Sequence, residues 1–184
     1  MFEIEKRSFF TSKKEFENFE KMIIDQAKFV AKYVYKSFLF NDPEYIRIRI
    51  VLGKNKVEIT KKEGDYNTPT RKEINEYIDL EKLPEFIKKI KSLGFKKCVC
   101  VKTESHTYKI DNITVALNII SDLGMIVEVE ALTDKESEIQ YLENKVSELM
   151  DKLELKELDP KIYQKMMDNL YSKTSDISKQ KFSL

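Results

Sequence analysis

Apolar and polar residues alternate with a period of two along most of this chain, and four runs interrupt the alternation with apolar residues returning every three or four positions. Period two turns successive side chains to opposite faces of a strand, whereas the longer period gathers them on one side of a helix. Phe2-Glu3-Ile4-Glu5-Lys6-Arg7 opens the chain as a strand, with Glu3, Glu5 and Arg7 on one face and Phe2 and Ile4 on the other. Ser12 and Glu15 have capping-box spacing, and Phe16, Phe19, Ile23, Ala27 and Val30 predict a helix reaching about Phe29. A strand is expected from Tyr33 to Phe40, ended by an Asn41-Asp42-Pro43 turn. Tyr45 to Ile50 and Lys56 to Lys62 alternate on either side of Gly53-Lys54-Asn55 and predict a hairpin. In that hairpin Arg47 and Arg49, then Lys56, Glu58, Thr60 and Lys62, lie opposite the aliphatic residues.

A loop from Gly64 to Pro69 precedes a stretch in which Arg71, Glu73 and Asn75 face away from Ile74 and Ile78. Pro84 suits the first turn of a helix whose apolar side is Leu83, Phe86, Ile87, Ile90 and Leu93, with Gly94 as its C-cap. Cys98, Cys100, Lys102 and Glu104 then alternate with Val99 and Val101, and short strands are expected at Tyr108 to Asp111 and Ile113 to Ile119. After Leu123-Gly124, Ile126 to Leu132 sets Glu128 and Glu130 opposite Val127 and Val129. Thr133 and Glu136 repeat the capping-box spacing ahead of a helix bearing Ile139, Leu142, Val146, Leu149 and Leu153. Asp159-Pro160 starts a last helix containing Ile162, Tyr163, Met166, Met167 and Leu170. These elements predict one antiparallel α+β domain over residues 1–171 and a polar, frayed tail over 172–184.

Composition removes several functional classes. With 33 basic and 32 acidic residues the net charge is +1, so no electrostatic footprint for nucleic acid is expected. No apolar run is long enough to span a bilayer, so no membrane partner is expected either. Cys98 and Cys100 sit too close on one strand for an ordinary disulfide and follow no secretory signal, which points to a reducing, cytoplasmic setting. The single histidine, His106, excludes multi-histidine metal centres, and four glycines leave no room for a Gly-rich phosphate loop.

What remains is the charged face of the strands. It carries Glu3, Glu5, Glu58, Glu73, Glu104, Glu128 and Glu130 against Arg7, Arg47, Arg49, Lys56, Lys62, Arg71 and Lys102. On an open sheet these residues are a solvated surface whose ion pairs contribute little. In a closed barrel they line a polar channel. The repeated carboxylates and guanidinium groups, where surface strands more commonly mix in Ser, Thr and Gln, favour the channel.

Glu3-x-Glu5, Arg47-x-Arg49, Thr60-x-Lys62, Arg71-x-Glu73 and Leu123-Gly124 followed by Glu128-x-Glu130 occur in the order found in the CYTH, or triphosphate tunnel metalloenzyme, family. The chain resembles that family over roughly residues 1–170, and its class IV adenylyl cyclase branch most. The resemblance implies a closed eight-stranded antiparallel β-barrel with helices packed outside, binding a triphosphate and Mg²⁺ or Mn²⁺. Its implied phosphate ligands are Arg7, Arg47, Arg49, Lys56, Lys62, Arg71 and Lys102. The implied metal ligands are Glu3, Glu5, Glu128, Glu130 and Asn118, with Arg7 and Glu5 catalytic and Glu58, Glu73, Asn75 and Glu104 lining the channel. Guanidinium groups suit multidentate phosphate binding, and carboxylates are hard ligands for such cations. The expected activity is hydrolysis of ATP, tripolyphosphate or thiamine triphosphate, with an ATP cyclase or a non-catalytic nucleotide or polyphosphate sensor as alternatives; the branch resemblance also suggests a homodimer. Four residues depart from the family pattern: Arg7 stands for a lysine, Asn75 for an acid, Glu104 for an arginine and Asn118 for an aspartate.

Overall fold

The alternating stretches form strands that close on themselves. A computed structural model gives the fold of residues 1–64 and 70–182, so most of the expected Gly64 to Pro69 loop lies outside the described residues. The strands are β1 (Phe2–Phe10), β2 (Lys28–Phe40), β3 (Ile46–Val51), β4 (Lys56–Glu63), β5 (Thr70–Asp79), β6 (Lys97–Ile110), β7 (Ile113–Ile120), β8 (Gly124–Thr133) and a short β9 (Ser175–Asp176). Eight of them run in the order β2-β3-β4-β5-β1-β8-β7-β6, and β2 pairs with β6 from Lys28↔Lys109 to Leu39↔Val99, which closes an antiparallel barrel. Every interior residue on one strand therefore has interior neighbours on both sides.

Helices α1 (Lys13–Ile24), α2 (Leu83–Ser92) and α3 (Ile139–Lys152) bury the apolar outer face, and a fourth helix, α4 (Pro160–Tyr171), follows them. Phe16, Phe19 and Ile23 of α1 and Val146, Leu149 and Met150 of α3 pack over Ile4, Tyr108, Val115, Val127 and Val129. Across the barrel, Leu83, Ile87 and Ile90 of α2 cover Phe38, Ile48, Ile50 and Val57. Helix α4 is different, because Met167 and Leu170 pack on Leu39, Val99 and Val101 near one end of the barrel. Gly124 holds the turn into β8 at φ +107°, and a Cβ there would stand 3.0 Å from the Phe9 ring, so both conformation and space require glycine.

Several expectations about elements need correction. Helix α1 stops at Ile24, where the Gln26 and Ala27 amides both donate to the Ile23 carbonyl, and Val30 belongs to β2. The β-prone run Phe29 to Tyr35 pairs with β6, with one register shift between Phe29 and Ala31, and that pairing overrides the continuing helical stripe. Ser12 does cap α1, accepting from the Glu15 amide at 3.4 Å. Thr133 instead accepts from the Lys135 amide and donates to Glu138, and a 3₁₀ turn at Glu136–Glu138 precedes α3. The two short strands expected on either side of residues 105–107 are one strand, β6. Nor is the tail frayed as far as Phe182: β9 pairs with β6, Ile177 is buried, and Phe182 lies 4.3 Å from Phe38 between ring centroids.

Candidate functional site

Alternation along five adjacent strands delivers the charged residues to one cavity of about 270 Å³. Strand β1 contributes Glu3, Glu5 and Arg7, β3 contributes Arg47 and Arg49, and β4 contributes Glu58 and Lys62. Arg71, Glu73 and Asn75 enter from β5, and Glu128 and Glu130 from β8. Cross-strand register explains the neighbours: Glu3 lies opposite Arg71, Glu5 opposite Glu130, Arg7 opposite Glu128 and Arg49 opposite Glu58.

At the acidic end, Glu3, Glu5 and Glu130 each present a carboxylate oxygen, all within 4.8 Å of one another. Burial and the neighbouring Glu5 carboxylate push Glu3 up to about 7, against the pull of Lys62. Burial, with Glu5 and Glu3 beside it, pushes Glu130 up to about 8. Glu5 goes the other way, because Arg7, Lys62 and Arg71 together outweigh its burial and hold it below the usual carboxylate range. Three hard oxygen donors in mutual repulsion fit Mg²⁺ or Mn²⁺, which bind through carboxylate oxygens. Glu128 stands beside Glu5 but outside this trio, and it accepts from Arg7 at 3.2 Å and from Asn118 at 2.8 Å.

The basic groups form a second arc. Lys62 pairs with Glu3 and lies 3.1 Å from Glu73, while Arg71 lies 3.3 Å from Glu5. Arg47 and Arg49 share Glu58 at 3.0 and 3.2 Å, and together they hold its carboxylate low despite burial. Arg7 pairs with Glu5 and stacks on Tyr163 of α4, 4.3 Å from the ring centroid. Burying so many charges costs several kcal/mol per ion, and apolar fillers of equal volume would stabilise a barrel as well. The pairing is also incomplete. Arg47 Nε, Arg49 Nε, Ser37 Oγ and Asn118 Oδ1 are buried without a hydrogen-bond partner among the described residues, which is how a site preformed for a polar ligand looks when only protein atoms satisfy it.

Not every expected residue reaches the cavity. Lys102 and Glu104 point outward from β6, where Glu104 pairs with Lys32 at the surface. The interior face of β6 is Val101, Thr103 and Ser105 instead. The misplacement has a physical cause: at the start of β6 both faces are covered, Cys98 by the α2 core and Val99 by α4, so alternation there carries no inside-outside signal. Tyr108, buried under α1, fixes the parity from the other end of the strand. Lys56 stands at the rim, 2.6 Å from Asp79. Tyr45, Tyr77 and Tyr163 line the cavity although the charge pattern did not single them out. Tyr45 and Tyr77 share strand parity with Arg47 and Asn75, a signal that was available; Tyr163 sits in the apolar stripe of α4 and offered none.

A model of the CYTH domain matches residues 1–163. No curated protein matches the chain. Among solved structures, the PH1819 protein of Pyrococcus horikoshii OT3 aligns at 21% identity with a TM-score of 0.75, over 91% of this chain and 98% of its own. The PH1012 protein of the same organism aligns at 24% identity and a TM-score of 0.65, over 85% and 93%. A candidate adenylate cyclase of Vibrio parahaemolyticus aligns at 15% identity and a TM-score of 0.64, over 84% and 90%. At these identities the likeness to solved structures is one of fold.

Proposed function

The chain belongs to the CYTH domain family, and from that premise we propose that it is a divalent-metal-dependent triphosphatase, which binds an inorganic or organic triphosphate in the barrel cavity and hydrolyses it. The observation that carries this reading is the juxtaposition of a three-carboxylate cluster with five basic side chains in one enclosed cavity, with arginine donors left over. Glu3, Glu5 and Glu130 would hold the cation. When bound, Mg²⁺ or Mn²⁺ supplies positive charge against the phosphate oxygens and lowers the pKa of a water molecule.

The side chains divide the remaining work. Arg47 and Arg49 present fork-shaped donors, and their Nε atoms stay available to phosphate oxygens. Lys62 and Arg71 are paired with Glu3 and Glu5, and would bind phosphate where those carboxylates held a cation instead. Arg7 holds its charge at any working pH, so it stabilises the departing phosphate and does not move a proton. Proton transfer falls to the carboxylates and to water, and catalysis rests on positioning and electrostatics, as phosphoryl transfer permits.

Phosphate release from tripolyphosphate, ATP and thiamine triphosphate, with and without Mg²⁺ or Mn²⁺, tests the reading. The expected result is metal-dependent orthophosphate release that Glu130→Gln abolishes, and Arg47→Ala weakens triphosphate binding by about 1–3 kcal/mol. Cyclic AMP and pyrophosphate in place of orthophosphate would make the protein a cyclase, and tight binding without turnover would make it a sensor.

A further inference from the structure

A second cavity of about 350 Å³ opens beside the charged one and shares Arg49, Glu58 and Tyr77 with it. Its wall is more apolar, for Tyr33, Tyr35 and Val51 form much of it, beside Lys54, Asn55 and Lys56. Register shows why. Tyr35 lies opposite Val51, and one step deeper along the interior face Arg49 lies opposite Glu58, which in turn lies opposite Tyr77. Tyr33 and Tyr35 therefore form the next layer outward from Arg49, and Tyr77 stands level with that arginine. Leu39 under α4 and Tyr33 sit at opposite ends of the interior face of β2, so this layer is far from the helix that packs at the other end.

Three features indicate what the layer takes. Tyr77 is 62% exposed and Tyr33 is 39% exposed, an unusual state for two large rings at a cavity wall. The Arg49 guanidinium already lies 4.4 Å from the centroid of the Tyr35 ring, so a flat group entering here meets aromatic faces and a planar cation together. The third is distance: Tyr77 and Arg71 are six positions apart on β5, roughly 20 Å along the strand, and Arg71 lies opposite Glu3 of the acidic cluster. A phosphate chain held at the acidic cluster by Lys62 and Arg71 reaches the aromatic layer only through whatever is attached to it.

We propose that Tyr33, Tyr35 and Tyr77 form a stacking site for a heteroaromatic ring carried by the phosphate chain, so that the substrate is an organic triphosphate and not tripolyphosphate. This rests on the triphosphate reading of the neighbouring cavity and adds the substrate class to it. The ring lies between the tyrosine faces, Asn55 meets its polar edge, and Arg49 spans ring and nearest phosphate. Stacking on aromatic side chains tolerates many rings, so the layer selects for the presence of a ring before its identity.

Calorimetric titration of ATP, thiamine triphosphate and tripolyphosphate into the Mg²⁺-loaded protein tests this, with Tyr33→Ala, Tyr33→Phe and Arg49→Ala in parallel. Tyr33→Ala is expected to weaken at least one ring-bearing triphosphate on the order of ten-fold and leave tripolyphosphate unchanged, with Tyr33→Phe restoring the loss. Arg49→Ala weakens all three. If Tyr33→Ala alters tripolyphosphate as much as ATP and thiamine triphosphate, or alters none of them, the stacking site is wrong while the Arg49 response still supports the triphosphate cavity. If Arg49→Ala also changes nothing, the triphosphate reading itself fails. A shift in sedimentation on Tyr33→Ala, with all affinities intact, would make the layer a contact between copies of the chain and overturn the proposal.

Discussion

Asn118 shows how far a single side chain departs from what its family position suggests. An aspartate there would add a metal ligand, yet Asn118 Nδ2 donates to Glu128 at 2.8 Å, and Glu128 is already pushed up by burial and by Glu5. Asn118→Asp would replace a donor with a second buried carboxylate facing the first. The metal-free variant is expected to lose about 1–3 kcal/mol, read as a thermal midpoint several degrees lower at pH 8, and added Mg²⁺ recovers part of it. An unchanged midpoint would mean that Asn118 and Glu128 do not interact in solution. Glu104→Arg is the contrast, because Glu104 faces solvent beside Lys32 and triphosphate affinity should not move. Residue identity made both positions look equivalent departures, and only the strand parity set by Tyr108 separates them.

At the scale of elements, legibility followed how cleanly each face met water or core. Strands β1, β3, β4 and β8 have one ionic interior face and one apolar outer face, so alternation alone located Glu3, Arg47, Lys62 and Glu130. It failed on β6, covered on both sides, and at the start of β2, where Phe29 and Val30 are about half exposed and mimic a helical stripe. Helix α4 was legible as a helix but not as an end piece, since its stripe does not reveal that Met167 and Leu170 meet interior residues of the barrel. That role has a measurable consequence. Leu170 is 1% exposed against Leu39, Val99 and Val101, so Leu170→Ala should cost about 2–5 kcal/mol in chemical denaturation. A loss below about 1 kcal/mol would mean that α4 rests loosely on the barrel.

For the whole molecule, near-zero net charge hides a partition along β1, β3, β4 and β8: largely apolar side chains outward, ionic side chains inward. Alternation predicts that partition but not closure, which depends on β2 pairing with β6 between residues 60 to 81 positions apart, from Leu39↔Val99 to Lys28↔Lys109. Closure is what makes the inner charges interact through low dielectric, and it gives the protein a pH signature. Burial and the neighbouring carboxylates push Glu3 up to about 7 and Glu130 up to about 8, above the ordinary carboxylate value of 4.5, so between those limits the folded state binds more protons than the unfolded state. Stability from these two groups is full below the unfolded pKa and is lost as pH rises through the folded values. Glu5 and Glu58, held low by arginines, act in the opposite sense, and their contribution is lost only as pH falls below the ordinary carboxylate range. The metal-free protein is therefore expected to lose thermal stability steadily from about pH 5 to about pH 8.5, by a few kcal/mol in total. Glu130→Gln should flatten the slope, because an amide of the same shape has no proton to lose. Saturating Mg²⁺ or Mn²⁺ should flatten or reverse it, because the cation replaces those protons and binds only the folded cluster. Thermal midpoints across this range, with chelator and with metal, provide the check: a flat metal-free profile would show that the three carboxylates do not share one buried site, and the cation site would fall with it.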